Sequence, residues 1–87
     1  MTKIYRQADN SFVAHGVLER YSVWFNAEGV MTDCVEVKNK LGIRYADSRS
    51  IPERSRHLRK RLAHWCKSTA SLPAIAKLAP GQGYGEA

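Results

Sequence analysis

The strongest constraint on the fold is the boundary at Ser50-Ile51-Pro52-Glu53. This tetrapeptide matches a capping box. The Ser50 hydroxyl accepts from the N–H of the third helical residue, and Glu53 reaches back to the N–H of Ser50. Pro52 suits a first turn, where its missing donor would have no partner anyway. A helix is therefore predicted from Ser50 to about Lys67. At ~100° per residue, Ile51, Ser55, Leu58, Leu62, Trp65 and Cys66 fall on one stripe, which has to be buried against another element.

The chain before this boundary reads as strands. Residues 3–7 form a short first strand, and Ala8-Asp9-Asn10-Ser11 is turn-like. Residues 12–17 are apolar but interrupted by His15 and Gly16, which leaves their state open. Residues 17–25 alternate with period two. Val17, Tyr21, Val23 and Phe25 fall on one face, with Glu19 as the exception, and Leu18, Arg20, Ser22 and Trp24 fall on the other. Asn26-Ala27-Glu28-Gly29 reads as a hairpin loop in which Gly29 takes a positive φ. Residues 30–38 form the return strand, Asn39-Lys40-Leu41-Gly42 a second turn, and residues 43–46 a shorter strand.

After the long helix, Ser71-Leu72-Pro73 caps a short helix through Ala79, stopped by Pro80-Gly81. The expected fold is thus α+β: a three- or four-stranded antiparallel β-meander, one long basic amphipathic helix packed on it, and a short C-terminal helix. With 87 residues the chain fits a single domain over residues 1–80. The glycine-rich residues 81–87 are expected as a flexible tail.

Charge is distributed unevenly. Between Ser50 and Lys67 there are six Lys or Arg and one acid, Glu53, so this segment holds +5 of the formal net charge of +6. Arg56, Lys60 and Lys67 lie opposite the apolar stripe. Arg54, His57, Arg61 and His64 lie on one flank, and Arg59 on the other. Like charges such as Arg56 and Lys60 four residues apart cost roughly 0.2–0.5 kcal/mol per pair, a repulsion that a polyanion would remove. Arg outnumbers Lys here, and its planar fork suits phosphates and guanine edges. His57 and His64 add to the positive surface when protonated. A role as a mimic of DNA would need the opposite sign.

Other chemistry is sparse. Cys34 and Cys66 are too few for a disulfide scaffold, form no CxxC, and read as small buried hydrophobes. His57 and His64 are seven apart and lack the compact i,i+4 spacing of a helical metal site. No Ser/His/Asp arrangement, phosphate-binding glycine loop or nuclease cluster is visible, so no catalytic residue, metal or cofactor is expected. Trp24 lies opposite Tyr21, Val23 and Phe25. It is either core or an exposed stacking surface, and core is the favoured place. Tyr5, Tyr45 and Tyr84 are equally ambiguous, with Tyr84 the best candidate for exposure. No run approaches the ~18 apolar residues of a membrane span and no signal peptide is evident, so a cytoplasmic location without membrane contact is expected.

In element order and charge the chain resembles small DNA-binding domains such as the arm-binding domains of tyrosine integrases. That resemblance implies binding through the Arg20, Ser22 and Trp24 face of the sheet. The residues themselves point to a small non-catalytic basic protein of phage or mobile-element accessory type. On this reading it binds DNA or RNA through Arg54, Arg56, His57, Arg59, Lys60, Arg61, His64 and Lys67. The alternative is a protein-interaction module or inhibitor, for example of host defence, docking the same helix on an acidic protein surface.

Overall fold

A computed structural model describes residues 2–36 and 56–85. Its architecture is α+β. Five antiparallel strands, β1 (Lys3–Arg6), β2 (Phe12–Val17), β3 (Tyr21–Phe25), β4 (Met31–Glu36) and β5 (Gly83–Gly85), form one sheet in the order β4-β3-β2-β1-β5. Helices α1 (Arg56–Ala70) and α2 (Pro73–Ala76) lie between β4 and β5 in the chain. The expected capping box at Ser50 and Glu53, the second turn and the strand at residues 43–46 lie outside the described residues.

The first four strands are a meander whose turns use different chemistry. In the β1–β2 turn Asn10 adopts φ 69°, its N–H donates to the Gln7 carbonyl, and Asp9 accepts from the Ser11 backbone. Asn tolerates this left-handed region better than most residues because its short amide bonds locally. The β3–β4 turn follows the sequence expectation. Gly29 has φ 86°, its N–H donates to Asn26 O, and Asn26 Oδ1 accepts from Glu28 and Val30.

The β2–β3 turn departs from expectation. The alternation over residues 17–25 predicts one continuous strand, yet residues 18–20 form a tight turn, with Arg20 N–H donating to Val17 O at 3.2 Å. Leu18 and Glu19 both hold positive φ, 51° and 64°. This is the backbone of a type I′ turn, which favours Asn-Gly. Glu19, the residue that broke the alternation, is one of its two central residues. Gly16, at φ 77°, absorbs the register shift between Ala14 and Val17.

One face of the sheet is the core. Ile4, Phe12, Ala14, Val17, Tyr21, Val23, Phe25 and Cys34 pack there with Leu62 and Cys66 of α1 and Ile75 of α2. Phe12 stacks on Phe25 at 5.1 Å, and Trp65 meets Phe25 edge-on at 6.0 Å. Trp24 sits on the other face and is only partly buried, which corrects its expected place in the core. The Tyr21, Val23, Phe25 side offers three consecutive inward positions, and the helix takes that side.

The glycine-rich C-terminal segment is also ordered differently from the expected tail. Residues 83–85 pair with β1 in the register Ile4↔Tyr84, and Tyr84 packs partly buried against the core. The Tyr5 ring covers Gly83 so closely that a Cβ there would lie 2.7 Å from its ring carbon. An aromatic ring over a strand glycine supplies the packing that the glycine lacks. Arg6 ties the same region together. Its guanidinium donates to Ala76 O and Leu78 O, both at 3.1 Å, and lies 4.9 Å over the Phe12 ring.

Two substitutions test these turns. A Cβ on Gly29 would lie 2.8 Å from Lys67 Cα, in addition to the strain of its φ. Gly29→Ala is expected to cost about 2–5 kcal/mol in urea unfolding, and a cost below 1 kcal/mol would contradict the close approach of turn and helix. Glu19→Gly relieves left-handed strain and should raise stability by about 1 kcal/mol. A loss of stability would argue against the type I′ turn.

Candidate functional site

Helix α1 positions the candidate site because one side of it is committed to the core. Leu62, Cys66 and Thr69 are buried, and Leu58, Trp65 and Ala70 are partly buried against the sheet. The helical period then forces His57, Lys60, Arg61, His64 and Lys67 outward, and all five are exposed. His57, Lys60, His64 and Lys67 follow one another at intervals of three, four and three, forming a ridge about 15 Å long at the helical rise. Arg61 stands beside it.

The electrostatics of the ridge are one-sided. The fifteen residues of α1 include five Lys or Arg and no Asp or Glu, with no acid in the first turn. Lys67 lies in the last turn, where the helix dipole favours a cation. Among the described residues, no carboxylate pairs with Lys60, Arg61 or Lys67.

Not every expected site residue joins this ridge. Arg59 is partly buried on the other flank, where its charge reaches the Cys34 thiol. Arg56 opens the described helix, and Arg54 lies outside the described residues. The structure therefore groups His57, Lys60, Arg61, His64 and Lys67 and sets Arg59 apart.

Beside Arg61 the β2–β3 turn approaches the helix. A groove of about 440 Å³ is lined by Leu18, Lys60, Arg61, His64, Trp65 and Ser68. A second depression, about 530 Å³, continues along Leu18, Glu19, Arg20, Tyr21, Leu58 and Arg61, so one carboxylate, Glu19, shares it with the two arginines. Leu18 and Arg20 are thus part of the surface around the ridge. The sequence assigned them to a strand, and only Glu19's break in the alternation hinted at the turn.

The far side of the sheet brings other side chains together. Tyr5, His15 and Trp24 form a row, with ring centroids 6.2 and 6.4 Å apart. His15 Nδ1 lies 2.8 Å from Ser22 Oγ. Among the described residues, no carboxylate bonds His15, the orienting contact that a serine nucleophile's base uses. No group of three His, Cys, Asp or Glu among the described residues is placed to hold a metal, and no helix there is long and apolar enough to cross a membrane.

The two cysteines are core residues. Burial pushes the Cys34 thiol up from 9.0 to about 11, helped by the charges of Asp33 and Glu36 and opposed by Arg59. Burial likewise pushes Cys66 up to about 12, with a smaller contribution from Cys34. Tyr21 is also raised, first by burial and then by Glu36.

No protein-family model matches the chain, and neither the curated proteins nor the solved structures include a match to it.

The thiols give a directional prediction. Between pH 9 and about 11 the unfolded chain has released thiol protons that the folded chain keeps, so it binds fewer protons and stability falls as pH rises. Below pH 9 both states keep the protons and the effect vanishes. Chemical denaturation from pH 7 to 10.5 should show this decline beginning near pH 9, and both thiols should resist a thiol-specific reagent at pH 8 until the chain unfolds. Fast labelling of the native protein would contradict their burial.

Proposed function

We propose that this protein binds nucleic acid through the outer ridge of α1. One observation carries the reading. The helix holds five Lys or Arg and no acid, and Lys60, Arg61 and Lys67 stand exposed without a carboxylate partner among the described residues.

Exposed helix surfaces usually mix signs, since opposite charges three or four apart stabilise by roughly 0.2–0.5 kcal/mol and like charges cost as much. Among the described residues, Lys60 and Lys67 stand seven apart on the ridge with Arg61 beside Lys60, and no carboxylate pairs with any of the three. A phosphate backbone supplies the missing charge and releases its own condensed counterions on contact. Arg61 adds a fork that engages two phosphate oxygens at once, while Lys60 and Lys67 act as point charges. His57 and His64 extend the same line as hydrogen-bond donors. These contacts set position and affinity without reading sequence.

Three phosphate contacts imply a slope of log affinity against log salt of about −2 for single strands and about −3 for duplex. Fluorescence anisotropy with labelled oligonucleotides between roughly 20 and 200 mM salt measures it. The triple variant Lys60→Glu, Arg61→Glu, Lys67→Glu should keep its circular dichroism spectrum, because all three residues are exposed, and should lose most of its affinity. Undetectable binding to any oligonucleotide at low salt would overturn the reading. So would capture of an acidic protein that survives nuclease and is lost in the triple variant.

A further inference from the structure

The groove between the β2–β3 turn and α1 holds two features that a charged ridge does not need. The first is Leu18, which is 40% exposed and held at φ 51°. Folding alone gives no reason for leucine there. The left-handed conformation disfavours it, and its side chain is not part of the core cluster. Asn would satisfy the turn better. A strained residue that the fold does not require is a reason to look for a function. The second feature is Trp65. Its indole is braced edge-on by Phe25 at 6.0 Å, and it lines the groove beside Leu18. Lys60, Arg61, His64 and Ser68 complete the lining around these two apolar side chains.

A flat apolar slot bordered by cations matches a ligand in which flat rings alternate with single negative charges. We infer that this groove takes an unstacked base of single-stranded nucleic acid, held between Leu18 and Trp65, with the flanking phosphates on Lys60 and Arg61. The inference rests on the nucleic-acid reading above and narrows it. In a duplex the bases are stacked and paired, so their faces cannot enter the slot, whereas a single strand offers them freely. A braced indole suits this role because base stacking on an aromatic ring tolerates any sequence. Arg20 and Arg61 line the adjoining depression together with the Glu19 carboxylate, so the next phosphate meets two cations and one acid there.

The test compares three probes of equal length: an oligothymidylate, an abasic single strand carrying the same phosphates, and a duplex. The full chain should bind oligothymidylate about tenfold more tightly than the abasic strand at the same salt. Leu18→Asn should hold or raise the melting temperature, since Asn fits the turn. It should also bring oligothymidylate affinity down to the abasic level and leave duplex binding unchanged. Trp65→Phe should reduce the base-dependent part while keeping the salt slope. Equal binding of abasic and base-bearing strands, with the salt slope intact, overturns the groove assignment and leaves the charged ridge standing. Failure of all three probes to bind removes the nucleic-acid reading itself. Tight binding of an acidic peptide that Leu18→Asn abolishes, with no base-dependent affinity, also overturns the assignment, because the slot then serves a protein anchor.

Discussion

The seating of the α1 apolar stripe on the sheet is the contact on which the rest of the molecule depends. Leu62 and Cys66 are fully buried against a face built from Phe12, Val23, Phe25 and Cys34. Phe25 is the centre of that contact, stacked on Phe12 on one side and met by Trp65 on the other. Aromatic pairs of this kind contribute about 0.5–1.5 kcal/mol beyond the area they bury. The packing also sets the helix rotation. Once Leu62, Cys66 and Thr69 face the sheet, the 3.6-residue period places Lys60, His64 and Lys67 outward. The basic ridge is therefore a consequence of core packing.

The same packing explains why the surface around the ridge includes a strand turn. The β3–β4 turn lies against the C-terminal part of α1, where Gly29 approaches Cys66, Lys67 and Ala70. The β2–β3 turn reaches the helix from its own side and lends Leu18 and Arg20 to the surface near Arg61. At the other edge, β5 pairs with β1, and Arg6 bonds the carbonyls at the end of α2, so the chain after α1 is tied back to its first strand. This tie joins segments about 70 residues apart in sequence.

Much of this was legible from the residues, and the misses share a physical cause. The α1 stripe from Leu58 onward, the Gly29 turn and the β3–β4 hairpin follow from local periodicity and turn chemistry, which short-range interactions set, whereas β2 was left open by His15 and Gly16. The β2–β3 turn was hidden because Leu18 and Glu19 are poor choices for positive φ, so propensity argued for a strand that tertiary structure interrupts. Residues 83–85 read as a tail because glycine carries no strand signal. Only the distant Tyr5 ring and the β1 edge make them a strand, and no local window contains both. Trp24 was misplaced because strict alternation says that two faces exist without saying which one the helix covers. Within the site, Lys60, Arg61, His64 and Lys67 were recognisable from charge alone, whereas Leu18 as a groove residue required the fold.

Nucleic-acid binding at the exposed side of α1 and the neighbouring turn would leave a spectroscopic trace on those residues. Backbone amide shifts recorded while a short single-stranded oligonucleotide is titrated into the labelled protein at low salt test it most directly. The largest changes should fall between His57 and Ser68 and at Leu18 to Arg20. Changes centred instead on Lys3, His15 and Trp24, across the sheet from the helix, would contradict it.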